Sequence, residues 1–262
     1  MKRRATAEGK RTLAPDFETL GRLCIASPQL ALFVMAKTIL IAGFGTGISL
    51  ALAEKFGAEG FAVALAARTA DRLGEGVKAL EAKGIRAAAF QVDLTDLKAI
   101  PGLIQSVREK LGPIDVVEWN AYASGAGDLL AGDAAEVRAP LDIAVTSLLA
   151  TVQAALPDLR ANKGAVLVTN GGLGLLDPQV DSVAVQWKAS GLAIANAAKH
   201  KLVRLLSKQL GPDGVYVGEV TVLGAVKGTA WDDGSSKLEA SAIAAKFWQI
   251  YTERRELSVS IG

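Results

Sequence analysis

The stretch Thr38-Ile39-Leu40-Ile41-Ala42-Gly43-Phe44-Gly45-Thr46-Gly47-Ile48-Ser49 decides the fold. A short apolar run meets three glycines spaced two apart, and from Ile48 to Phe56 apolar residues return at helical spacing. Strand, tight turn and helix follow one another without a linker. A strand that is apolar throughout, with no alternation, is buried on both faces, as in a parallel sheet between two helical layers.

The same grammar repeats downstream. Residues 62–67 read as a strand and 71–83 as a helix, then 87–92 and 97–111 in the same order. Residues 116–119 read as a fourth strand, 134–159 as a long helix ended near Pro157, and 165–169 as a fifth strand. A long helix over 184–210, a sixth strand over 216–223, a helix over 239–252 and a last strand over 257–261 complete the pattern. The expected fold is a three-layer, doubly wound α/β domain of the Rossmann type, with a parallel sheet of about seven strands. Residues 35–262 form this single domain and residues 1–34 a peripheral extension. Met35, just before the first strand, is an alternative start.

Charge and composition narrow the partners. The 262 residues carry 29 Lys and Arg against 27 Asp and Glu, a net charge of +2. Of these, the bases Lys2, Arg3, Arg4, Lys10, Arg11 and Arg22 fall in the extension. The rest of the chain therefore has no basic footprint for nucleic acid or a membrane surface. One cysteine, Cys24, excludes an internal disulfide, and one histidine, His200, argues against a histidine-based metal site. With no unbroken apolar run of membrane-spanning length, the expectation is a cytoplasmic protein acting on a small molecule.

A dinucleotide needs glycines where the backbone turns and where it approaches a pyrophosphate, whose charge is then held by free N–H groups at a helix N-terminus. Gly43, Gly45, Thr46, Gly47 and Ile48 are the expected cradle. A cofactor without a 2′-phosphate meets an Asp or Glu at the end of the second strand. Here the strand ends Ala66-Ala67-Arg68-Thr69, and the Arg68 guanidinium suits a phosphate. NADP is expected over NAD.

With these landmarks in order, residues 38–262 resemble the short-chain dehydrogenase/reductase family. Gly43-x-x-x-Gly47-Ile48 is similar to its TGxxxGxG turn, with Ala42 and Ser49 at the variant ends. Asp93-Leu94 resembles the acidic adenine contact, Asn120-Ala121 the middle of NNAG, and Leu223-Gly224 stands in the place of Pro-Gly. The resemblance implies an NADP(H)-dependent oxidoreductase and a homodimer or homotetramer paired through its long helices. It also implies a Tyr, Lys, Ser and Asn that handle the carbinol proton.

Those four positions hold other residues. Counting back from Gly211-Pro212 puts the Tyr and Lys places at Leu192 and Asn196; a second register puts them at Ala184 and Lys188. The Ser place falls at Gly171 and the Asn place at Ala144. Substitute donors are therefore sought at the same sheet edge: Tyr122 first, then Lys188, Asn170, Asp177 and Asp181. Trp187 and Trp231 are candidate pocket walls, and His200 reads as a surface or packing residue. A catalytically silent NADP(H)-binding protein is the rival reading.

Overall fold

The computed structural model describes residues 36–229 and 231–262. The extension of residues 1–34 and Cys24 lie outside the described residues. The strands are β1 (Thr38–Ala42), β2 (Ala62–Ala67), β3 (Ala87–Gln91), β4 (Ile114–Trp119), β5 (Ala165–Gly171), β6 (Tyr216–Val222) and β7 (Ser258–Ile261). They form one sheet in the order β3-β2-β1-β4-β5-β6-β7, every pair parallel. The sequence order reverses between β1 and β4, so the carboxyl ends of these two strands flank the crevice where such sheets take ligands.

Pleating sorts the core into two layers. Leu40 and Ala42 on β1, with Val117 and Trp119 on β4, face α3 (Ile100–Leu111) and the α5 (Leu148–Ala161) and α7 (Ser190–Leu210) helices. Ile39 and Ile41, with Val116 and Leu167, face α1 (Ile48–Ala58), α2 (Ala70–Glu81) and α8 (Ala240–Glu253). All five residues of β1 are buried, which is why the strand shows no polar alternation.

The two long helices depart from the sequence reading. The first opens as a 3₁₀ turn at Ala134–Val137, continues as α4 (Arg138–Leu141), widens into a π turn at Asp142–Ser147 and ends as α5. It does not stop at Pro157, because the buried stripe Leu148, Val152, Ala155 and Leu159 runs on beneath that residue. The carbonyl that Pro157 leaves without a donor belongs to Gln153, on the exposed side. Residues 134–161 are also long enough to cross a membrane, and an 18-residue window within them has a mean hydropathy of 1.5. That composition supplies the stripe packed against the sheet.

The second expected helix is two. The α6 helix (Pro178–Gln186) ends before Trp187, and α7 begins at Ser190. Lys188 between them has φ of +51°, and the Gly191 N–H leaves the helical pattern to bond Ala126 O at 2.9 Å. Helical composition on both sides of the break conceals it in the sequence.

Candidate active site

The glycine turn is tied down by its neighbours. Gly43 N–H and Phe44 N–H both donate to Ala66 O, at 2.9 and 3.0 Å. Gly43 has φ of +91°, and a Cβ there would stand 2.4 Å from Ala121 N, so glycine is required by conformation and by contact. Asn120 Nδ2 donates to Ser49 Oγ at 2.6 Å, Ser49 Oγ donates to Gly43 O at 3.0 Å, and Asn120 N–H reaches Ala42 O at 2.9 Å. Ser49, where the family pattern has glycine, thus has a bracing role that motif matching did not reveal. Gly43→Ala is expected to cost about 2 kcal/mol or more through strain and overlap. A melting curve should fall by about 5 °C or more; an unchanged midpoint would refute the close approach.

The rest of the turn is free to meet an anion. Among the described residues, a Cβ on Gly45 would touch nothing within 4 Å. The α1 helix has neither a side-chain cap nor an acid in its first turn, so the positive end of its dipole is uncompensated. Thr46 is exposed and Ile48 half-buried at this lip. Thr229, on the connection after β6, covers the far side: its Cγ2 would lie 2.8 Å from a Cβ on Gly47. An open turn at an uncapped helix N-terminus fits a pyrophosphate.

Arg68 is exposed beyond β2, and Gln91 Nε2 donates to its carbonyl at 3.0 Å. Thr95 N–H and Thr95 Oγ donate to Asp93 Oδ1 at 2.9 and 2.8 Å, and these bonds, then Arg68, hold the Asp93 carboxyl below its ordinary range. Leu94 beside it is buried. Arg68, Asp93 and Leu94 are thereby gathered at the ends of β2 and β3.

Further along the edge, α7 lies hard against the end of β5: a Cβ on Gly171 would sit 2.6 Å from Asn196 Nδ2. Leu192 and Asn196 occupy one helix, whereas Ala184 and Lys188 fall on α6 and in the break after it. Ala144 lies in the π turn, buried. Tyr122 follows the Ala121 that packs on Gly43 and is 54% exposed at this edge. Lys188 is exposed beside the connection after β4, where it lowers the Asp128 carboxyl after the dominant bonds from Leu130 and Ala131. Asp177 caps α6, accepting from Gln179 N and Val180 N.

Asn170 is less available than its position suggests. Its Nδ2 donates to Asn196 O at 3.1 Å and to Glu219 Oε2 at 3.2 Å, and its Oδ1 accepts from Gly171 N at 3.0 Å. It is a bracing residue in the structure. Glu219, wholly buried on β6, also receives Ser258 Oγ at 2.9 Å and pairs with His200 Nδ1. His200 is therefore anchored by a buried carboxylate, beyond the packing role read from sequence.

Two buried ionisable groups also escaped the sequence reading. Glu118 on β4 is pushed up to about 8 by burial, against a bond from Thr169 and the charge of Lys199. Lys199 on α7 is pushed down to about 8 by burial, against Glu219 and Glu118. The signals were an acid inside the apolar run Val116-Val117-Glu118-Trp119 and a lysine in the stripe Asn196, Lys199, Val203, Leu206.

Residues 37–238 match the family described as short chain dehydrogenase. The chain belongs to that family. It is 31% identical over 184 residues to a meso-2,3-butanediol dehydrogenase of Serratia marcescens, covering 70% of this chain and 69% of the relative. Against the 3-dehydrosphinganine reductase TSC10A of Arabidopsis thaliana it is 30% identical over 131 residues, covering 50% of this chain and 39% of the relative. Among solved structures, the L-sorbose reductase of Gluconobacter frateurii complexed with NADPH and L-sorbose superposes with a TM-score of 0.75 at 20% identity. The likeness covers 86% of this chain and 95% of that one, and it shows the fold.

Proposed function

We propose that this chain is an NADP(H)-dependent oxidoreductase that moves hydride between the nicotinamide and a small carbonyl or alcohol compound, through an active site with altered proton-handling residues. The observation that carries the reading is the uncapped, glycine-lined turn with Arg68, in place of a carboxylate, at the end of β2. The complex of the sorbose reductase with NADPH and the dehydrogenase activity named for the Serratia relative support it.

Gly43, Gly45, Thr46, Gly47 and Ile48 would hold the pyrophosphate, Arg68 the 2′-phosphate, Asp93 and Leu94 the adenine, and Asn120 and Ala121 the wall beside the turn. The cofactor supplies or accepts hydride. Gly171, Leu192, Asn196 and Ala144 offer no titratable side chain, so proton transfer falls to Tyr122, with Lys188 next and Asn170 in a bracing role. Ile194 and Leu205, exposed on α7, are apolar surface for a second copy, in keeping with a homodimer or homotetramer.

Calorimetric titration with NADPH and NADH tests the cofactor assignment. NADPH is expected to bind more tightly, and Arg68→Ala to weaken it by about tenfold to a hundredfold with NADH little changed, the worth of a charge-assisted phosphate contact. Equal affinities in the unaltered chain would make Arg68 a surface charge. The vacant proton-transfer positions favour one rival, the silent NADP(H) binder. NADPH binding with no turnover across a broad carbonyl and alcohol panel would establish it.

A further inference from the structure

We propose that the substrate carries an aliphatic chain, received by an apolar rim that three connections raise around the carboxyl edge of the sheet; this rests on the oxidoreductase reading above. Among the described residues, nine of the twelve exposed large apolar side chains stand on the connections after β4, β5 and β6. Leu130 is 99% exposed, Leu176 95%, Trp187 61% and Trp231 48%. Scattered surface leucines need no explanation, but a concentration on one edge marks a binding surface.

The three connections touch one another. The Gly191 N–H bonds Ala126 O at 2.9 Å, and a Cβ on Gly127 would lie 2.7 Å from Lys188 O, joining the first connection to the second. A Cβ on Gly172 would lie 3.3 Å from Leu223 Cα, joining the second to the third, and Thr229 closes the third onto Gly47. The rim therefore ends on the turn that would hold the cofactor. A mainly apolar cavity of about 150 Å³, lined by Leu175, Leu176, Gly171, Asn170, His200 and Thr221, carries the lining down to the ends of β5 and β6.

Of the polar groups lining this cavity, Asn170 and the Nδ1 of His200 are already committed to partners inside the fold. Asn170 is bonded through both ends of its amide, and Asp177 caps α6. A polyhydroxylated substrate would lose water contacts here with few replacements, whereas a hydrocarbon chain covers exposed apolar surface. The carbonyl or carbinol end then lies toward the sheet edge and the chain runs outward over Leu176 and Trp187.

The test is a series of linear 2-alkanols from four to ten carbons, oxidised by the full chain with NADP⁺. The carbinol C–H pair leaves as hydride to the nicotinamide, the O–H proton leaves to the site, and a ketone remains. The value of kcat/KM is expected to rise about three- to fourfold per methylene until the rim is filled. Leu176→Asp is expected to reduce that slope. A readout independent of turnover is tryptophan fluorescence of the NADPH-bound protein titrated with unreactive decanamide and butanamide. Decanamide should bind at least tenfold more tightly, less so in Leu176→Asp. Turnover that is flat with chain length overturns the substrate class and leaves the oxidoreductase reading standing. A flat series together with a dimer that Leu176→Asp dissociates assigns the rim to a second copy, also overturning it. No turnover of any member while NADPH binds overturns the substrate class, and only the broad carbonyl and alcohol panel decides the oxidoreductase reading.

Discussion

Tyr122→Phe is expected to lower turnover about 10²-fold while leaving NADPH affinity and the melting midpoint unchanged. A positioned acid or base contributes about 10²–10⁴ in rate, and in the function proposed above Gly171, Leu192, Asn196 and Ala144 supply none. Tyr122 stands at the sheet edge one residue after Ala121, which touches the Gly43 turn, and is half exposed. Its phenol is thus at the crevice without being part of the core. The substitution removes one oxygen and keeps the ring, so lost packing and lost proton transfer separate. Steady-state kinetics give kcat, and calorimetry gives the cofactor affinity. An unchanged kcat would exclude the hydroxyl as proton donor and move the role to Lys188.

The parts of the fold written in unbroken apolar runs were legible from the chain. The β1 strand and the Gly43 turn could be read because burial on both faces forbids polar residues and because a left-handed residue packed on Ala121 must be glycine. Family membership followed from landmarks in order, including Asn120, whose amide braces Ser49. What stayed hidden depends on contacts far apart in sequence. The break at Lys188 lies beside the bond from Gly191 to Ala126, and no local propensity encodes that partner. The pairing of His200 with Glu219 joins α7 to β6. Glu118 and Lys199 looked like ordinary charges because the burial that shifts them is a property of the assembled sheet and helix.

Glu118→Gln is expected to stabilise the fold near pH 7 and to flatten its pH dependence. Glu118 is wholly buried; Thr169 Oγ1 donates to its Oε1 at 3.0 Å, and its Oε2 has no partner among the described residues. Burial raises the carboxyl from an ordinary 4.5 to about 8. Between those values the folded chain keeps a proton that the unfolded chain has lost. Stability from this group is therefore present below pH 4.5 and lost as pH rises toward 8. At pH 7 the penalty is about 3 kcal/mol, at 1.36 kcal/mol per pKa unit. Glutamine is neutral in both states and retains an oxygen for Thr169, so it escapes the penalty. Lys199, lowered from 10.5 to about 8, gives a slope of opposite sign only above pH 8 and leaves the lower window clear. Thermal melts of both proteins from pH 5 to 8 should nearly coincide at pH 5 and diverge to about 5–10 °C at pH 7–8 in favour of the variant. Parallel curves, or a variant less stable throughout, would mean that Glu118 remains ionised in the fold, held by the charge of Lys199.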